Sequence, residues 1–293
     1  MSVFVCGALH LDVIVQSPHL PRLDETVTGQ GVTYAFGGKG GNQAVAAARI
    51  GAATAMAGRI GSDSFGDTLL AALKEAGVDA TQILRDDGPS GMSVAIVTAT
   101  GDYGAVIVSA ANLNIDPDRI TLPADARILL LQNEIPEPVN LALATRARAQ
   151  GCLTILNAAP ARPLSAALLA LTDVLVVNRV EAQDILAADL PPLQAAAALS
   201  QLGPARVCLT LGGAGLALWD GSASHSPAQS VPVISSHGAG DAFIGALAAR
   251  LDGGDSLSDA ASFAQAAAAL HVATPVADRR LITPAAVRAL QSR

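Results

Sequence analysis

A carboxylate, a histidine and a glycine pair stand together in "HGAGDAF", residues 237–243, just ahead of an alanine-rich run that continues to Leu251 with helical spacing. These residue types define a narrow chemistry. Successive backbone N–H groups from Gly238, Ala239 and Gly240 to Asp241, at a helix start, converge where the helix dipole is positive, which makes an anion hole. Asp241 itself is either a helix cap, since acids are strongly preferred there, or a base that takes a proton beside the bound anion.

A second glycine-dense turn, "FGGKGGNQ" at residues 36–43, also opens a helix-like run. Glycine lets the backbone approach a ligand closely, and Asn42 offers a donor and an acceptor to a hydroxylated one. Of 18 Lys and Arg residues only Lys39 and Lys74 are lysine, so Lys39 stands out as the compact point charge that suits a phosphate. Asp12, just beyond the first strand, fits either the binding of two sugar hydroxyls or a turn. Glu134 and Asn178 carry the same two readings. Glu181 lies one helical turn after Asn178, which sets amide and carboxylate on one face near a metal–phosphate group. "TLGGAG", residues 210–215, fits a strand end passing beneath a nucleotide, or any tight turn. Two familiar phosphate motifs are excluded: Lys39 is followed by Gly40, so no G-x-x-x-x-G-K-[ST] loop occurs, and no G-x-G-x-x-G follows the first strand.

Strands must end at these groups to position them. "VFVCGAL", "ILLLQNE", "LTILNAAP", "VLVVNRVEA" and "RVCLTLGG" are short apolar runs, most ending in polar residues, and helix-spaced runs such as "NQAVAAARIGA" and "FGDTLLAALKEAGV" alternate with them. That alternation predicts βα units around a mostly parallel sheet, whose ligands gather at the carboxyl ends of the strands. Glu134, Asn157, Asn178 and Thr210 all fall there. Residues 12–36 and 91–109 instead alternate polar and apolar residues, and predict a small antiparallel sheet with "TGD" as a hairpin turn. Alanine-rich helices are expected over 187–206, after a Pro-Pro turn, and over 255–273. No repeat or linker divides the chain, so a single domain over 1–293 is expected, with the small sheet inserted from about 12–36 and 91–109.

Composition narrows the partners. Net charge is −7 without an acidic block, and no basic stripe marks a nucleic-acid footprint. Apolar runs are broken before they reach membrane-spanning length. The N-terminus lacks a basic leader and carries His10 and Asp12 inside its apolar stretch, so a cytoplasmic protein is expected. Cys6, Cys152 and Cys208 sit in apolar, strand-like runs without metal-ligand spacing and read as buried reduced thiols.

Taken in chain order, "GALHLD", "GGKGGNQAVAA", "QNE", "NAAPAR", "NRVE", "TLGGAG" and "GAGDAF" resemble the ribokinase family, the PfkB carbohydrate kinases, from residue 3 to about residue 273. "GGKGGNQAVAA" points toward the ribokinase branch. The resemblance implies a three-layer α/β/α sandwich with a mostly parallel sheet and a small antiparallel β lid that can pair two copies into a homodimer. It implies Asp241 as catalytic base, with Gly238, Ala239 and Gly240 as its anion hole. His10, Asp12, Gly38, Lys39, Gly40, Gly41, Asn42 and Glu134 fall at sugar-binding positions. Asn178, Gly240, Gln265 and the run Thr210, Leu211, Gly212, Gly213, Ala214 and Gly215 fall on the nucleotide side, and Glu181 is implied to hold Mg2+ through water.

The activity so implied is ATP-dependent phosphorylation of the primary hydroxyl of a pentose, D-ribose first, to give ribose 5-phosphate. A nucleoside or other sugar kinase of the same family, or a sugar sensor that has lost catalysis, are the alternatives. The chain departs from the family in three places. His10 stands where ribokinases usually carry Asn. Ser235 replaces an Asp, and "ATPVADRRL", residues 273–281, keeps little of a basic, glycine-containing stretch; both features help build the family's monovalent-cation site. Gln265 stands where His or Asn is frequent.

Overall fold

The computed structural model describes residues 2–100 and 103–292. Strands β1 (Val3–Cys6), β2 (His10–Ser17), β3 (Gly31–Gly37), β4 (Thr54–Gly61), β5 (Asp79–Asp86), β6 (Met92–Thr98), β7 (Tyr103–Val108), β8 (Ile128–Gln132), β9 (Leu153–Asn157), β10 (Val174–Asn178), β11 (Arg206–Thr210), β12 (Leu216–Asp220) and β13 (Ala223–Ser226) form two sheets. The helices are α1 (Lys39–Arg49), α2 (Ser64–Glu75), α3 (Glu137–Gln150), α4 (Ala166–Ala170), α5 (Arg179–Leu186), α6 (Pro192–Ser200), α7 (Ala239–Asp252), α8 (Leu257–Val272) and α9 (Pro284–Gln291).

The larger sheet runs β13-β12-β11-β10-β9-β8-β1-β4-β5. From β11 through β5 every neighbouring pair is parallel, and β12 and β13 add an antiparallel edge. The central strands are unbroken apolar runs, VFVC in β1 and ILLLQ in β8, because both faces of a parallel sheet are covered. Alternation splits their side chains between two cores. Val3 and Val5 pack with α1, α2, α7, α8 and α9, whereas Phe4 and Cys6 pack with α3, α4, α5 and α6. This is the expected α/β/α sandwich.

The smaller sheet runs β3-β2-β6-β7. Its outer pairs, β2 with β3 and β6 with β7, are antiparallel as expected, but the inner strands β2 and β6 run parallel and join the two hairpins. The turn expected at "TGD" involves Gly101 and Asp102, which lie outside the described residues. One helix is shorter than its sequence predicts. The segment 187–206 forms α6 only from Pro192 to Ser200, because Pro191 and Pro192 fix its start and a turn at 201–203 precedes β11. The 255–273 expectation matches α8, whose N-cap Ser256 accepts a hydrogen bond from the Asp259 N–H. All three cysteines are buried free thiols, and burial pushes Cys6 and Cys208 up to about 12 and Cys152 up to about 11. Among the described residues no helix is long and apolar enough to cross a membrane.

Candidate active site

Two helices begin at this site, and neither is capped by its own side chains. The N-caps of α1 and α7 are Gly38 and Gly238, with φ of 86° and 76°. Those left-handed values favour glycine, and without a side-chain cap the first N–H groups stay available. The α1 end is closed from elsewhere. Glu134, two residues past β8, accepts the Lys39 N–H at 2.7 Å, and the Gly41 N–H reaches the Ala8 carbonyl at 3.1 Å. Gly40 and Gly41 are buried where α1 lies against the exit of β1; a Cβ on Gly40 would stand 2.6 Å from the Gly7 Cα. Their small size serves that close approach.

The α7 end stays open. Ala239 donates its N–H to the Ser236 carbonyl at 3.2 Å, but the N–H groups of Gly240 and Asp241 find no acceptor among the described residues. Of the anion hole expected from Gly238 to Asp241, Ala239 is thereby occupied, and the N–H groups of Gly238, Gly240 and Asp241 stay open.

Asp241 occupies the third position of α7 and caps nothing. Its carboxylate, on a residue only 9% exposed, accepts the Asn42 Nδ2 at 3.1 Å on one oxygen and the Gln43 Nε2 at 2.9 Å on the other. Burial raises its pKa above the ordinary carboxylate value, opposed by the Lys39 charge, by these two amides and by His237. Glu134 is pushed up to about 7, chiefly by burial, with the charges of Asp241 and Asp12 adding and Lys39 opposing. Lys39 thus places one cation within electrostatic reach of Glu134, Asp241 and also Glu181.

The smaller sheet supplies His10 and Asp12, which share one face of β2 because they are two residues apart. Asp12 accepts the Ser93 hydroxyl at 2.5 Å, and the His237 ring stands 3.8 Å from its other oxygen. His10 is 3% exposed, its Nε2 has no hydrogen-bond partner, and burial lowers its pKa so that the ring is neutral at pH 7. A cleft of 660 Å³ opens onto Asn42, His237, Gly238 and Asp241 and is walled by Tyr34 and Phe36 of β3.

Of the residues expected on the nucleotide side, two end adjacent strands. Asn178 and Thr210 are register partners at the carboxyl ends of β10 and β11. Asn178 caps α5 in a capping box: its Oδ1 accepts the Glu181 N–H at 2.9 Å, and the Glu181 carboxylate accepts the Asn178 N–H and Nδ2, both at 2.8 Å. Glu181 is buried, and burial raises its pKa. Residues 211–215 make a tight turn, with the Leu211 N–H on the Gly215 carbonyl at 2.8 Å and Gly212, Gly213 and Ala214 exposed. Gln265, on α8, reaches toward the Ser226 carbonyl at 3.4 Å.

Comparison with known proteins decides the family. Residues 1–282 match the pfkB family carbohydrate kinases. The chain belongs to that family. It is therefore a phosphotransferase with an alcohol acceptor, and two kinds of relative extend the likeness. The kinase is 35% identical over 283 residues to the ribokinase of Haemophilus influenzae, covering 92% of each chain. Its fold superimposes on the ribokinase of Arabidopsis thaliana complexed with ribose and ATP with a TM-score of 0.92, at 28% identity, over 100% of this chain and 99% of that one. The ribokinase of Thermotoga maritima gives 0.91 at 29% identity over the whole of both chains.

Four residues of this constellation receive no role from the sequence alone. Gln43 sits inside "GGKGGNQ" but carried no assigned role. Ser93, His237 and Arg279 reach the site or its loops only through tertiary contacts, and nothing in their local spacing marks them.

Proposed function

We propose that this kinase transfers the γ-phosphate of ATP to the primary hydroxyl of D-ribose, giving ribose 5-phosphate, with Asp241 as the base. The observation that carries this is the Asp241 carboxylate: buried, oriented through both oxygens by Asn42 and Gln43, and set at a helix start with open N–H groups. Those amides fix where the free lone pairs of the carboxylate lie, so that it receives the hydroxyl proton at a defined atom. The N–H groups of Gly240 and Asp241, with the α7 dipole, stabilise the negative oxygens of the phosphoryl group in transfer. Lys39 adds a positive charge on the same side.

Asp12, His10, Asn42 and Glu134, with the Gly38–Gly41 turn, form the sugar pocket. Four polar side chains from three separate segments suit a small polyol with hydroxyls on several faces. Asn178, Thr210 to Gly215, Gly240 and Gln265 form the nucleotide side. The donor set also fits a divalent cation: Glu181 is a buried carboxylate with lone pairs beyond its two bonds to Asn178, and no cluster of three metal-ligating side chains exists among the described residues. Mg2+ typically keeps several waters and is held by one or two carboxylates plus substrate phosphates. When bound, Mg2+ supplies charge neutralisation to the phosphates; Glu181 would hold it through water.

The smaller sheet acts as the lid of one kinase unit. Val32, Tyr34, Val106 and Val108 share one face of it and leave that face exposed and apolar, which supports pairing of two copies through the lid. Buried reduced thiols suit a cytoplasmic setting. The test is a coupled ADP-release assay over ribose, deoxyribose, fructose, fructose 6-phosphate and several nucleosides. Ribose is expected to give the highest kcat/KM; a nucleoside exceeding it, or sugar binding without turnover, refutes the assignment.

A further inference from the structure

The loop that enters the α7 N-terminus is held from behind by a buried arginine. Arg279 lies in the 3-10 turn Val276–Leu281 after α8 and is 6% exposed. It donates Nη2 to the Ser235 carbonyl at 2.8 Å, Nη1 to the His237 carbonyl at 2.9 Å and Nε to the Thr274 carbonyl at 3.3 Å. The His271 Nε2 also stands 3.0 Å from the His237 carbonyl. Among the described residues no carboxylate forms an ion pair with Arg279. A desolvated charge of this kind must be held by hydrogen bonds, and here three backbone carbonyls hold it. Such a shell is also what dehydrated monovalent cations use.

The family implies an activating monovalent cation in this region, and the residues present do not fit one. Ser235 offers no carboxylate, and the carbonyls of Ser235 and His237 already accept the two ends of one guanidinium. We propose that Arg279 is a positioning residue that takes the place of that cation: a tethered positive charge that fixes the 235–238 loop and makes the kinase independent of monovalent cations. The planar fork sets the orientation of two peptide groups at once. One of them, the carbonyl of His237, belongs to the peptide that enters Gly238, the N-cap of α7. Losing the fork leaves that carbonyl only the His271 ring at 3.0 Å, which loosens the peptide and shifts the N–H groups of Gly240 and Asp241. Misplacement of about 1 Å at such a site costs on the order of 100-fold in rate.

This inference uses the proposed kinase reaction as its readout, so the test carries a second readout that needs no substrate. Turnover and thermal melting are measured for the wild type, Arg279→Gln and Arg279→Lys in tetramethylammonium, sodium, potassium and guanidinium chlorides at equal, low concentration and ionic strength. Wild-type kcat is expected to change less than twofold between the sodium, potassium and tetramethylammonium salts. Arg279→Gln is expected to lose on the order of 10- to 100-fold in kcat, to recover part of it in guanidinium or potassium, and to melt higher in those salts than in tetramethylammonium. The 660 Å³ cleft, which reaches Arg279, gives a small cation its entry. Arg279→Lys, which keeps the charge, is expected to stay cation-independent. Potassium activation of the wild type overturns the proposal, as does an Arg279→Gln variant that is fully active or that no cation rescues in either readout. If the wild type turns over no sugar in any salt, the ribose assignment fails, and the melting comparison still decides the role of Arg279.

Discussion

Gln43 donates from its amide nitrogen to Oδ1 of Asp241 at 2.9 Å, and the same nitrogen serves Oδ1 of Asn157 at 3.0 Å. Its own carbonyl accepts the Gln132 Nε2 at 2.8 Å. Gln43 is fully buried, so these amides tie α1, β8 and β9 to one carboxylate in a setting where hydrogen bonds are strong and unpaired groups expensive.

Replacing Gln43 with leucine keeps the size and removes every bond. Gln132, Asn157 and Asp241 each lose a partner, and a buried polar group left unpaired costs about 1–3 kcal/mol. Chemical denaturation is expected to show a loss of at least that size, and kcat to fall because Asp241 is free to rotate. Unchanged stability with full kcat contradicts the network.

The pH profile follows from the direction of the Asp241 shift. As the proposed base Asp241 would work ionised, and burial raises its pKa, so kcat/KM is expected to fall with decreasing pH through a value above the ordinary carboxylate range. Gln43→Leu removes a bond that favours the ionised form. Its acid limb is expected to move to higher pH still, measurable in residual activity.

Glu134 makes the opposite statement about stability. Its carboxyl is raised to about 7 in the fold from an ordinary value of 4.5, so between those values the folded state binds more protons than the unfolded one. Its contribution is then fully present below pH 4.5 and is lost as pH rises through about 7. Glu134→Gln is expected to flatten the decline in melting temperature over that window, while weakening sugar binding. A slope identical to the wild type refutes the shift.

Gly245 sits where α7 crosses α1, and a Cβ there would stand 2.6 Å from the Gln43 carbonyl and 2.7 Å from the Ala47 nitrogen. Both are backbone atoms and cannot swing aside. Gly245→Val is expected to cost about 1–3 kcal/mol as an overpacked contact. It should also lower kcat, because the displaced helices carry Asp241 and Gln43. A fully stable and active variant argues against this crossing.

Much of this site was legible in the sequence because its groups lie at element ends. Asn178 and Thr210 close apolar runs, and Asp241 follows a glycine pair, so period and punctuation found them. Local pattern could not separate capping from chemistry at Asp241; the absence of a cap bond removes the first reading, and the two amide donors orient the carboxylate. Arg279 was legible only as part of an altered stretch, since the two loop carbonyls it joins, of Ser235 and His237, stand more than 40 residues away. Strand direction within the small sheet was equally hidden, because alternation reports which face a residue takes and not whether β2 and β6 run parallel.

The central claim is that Asp241 is a base and not a cap. ADP release with D-ribose, alongside calorimetric ribose binding, is measured for the wild type and Asp241→Asn. The variant is expected to fold, to bind ribose within a few-fold of the wild type, and to lose on the order of 100- to 10,000-fold in kcat. Retained turnover in a folded Asp241→Asn variant contradicts the account.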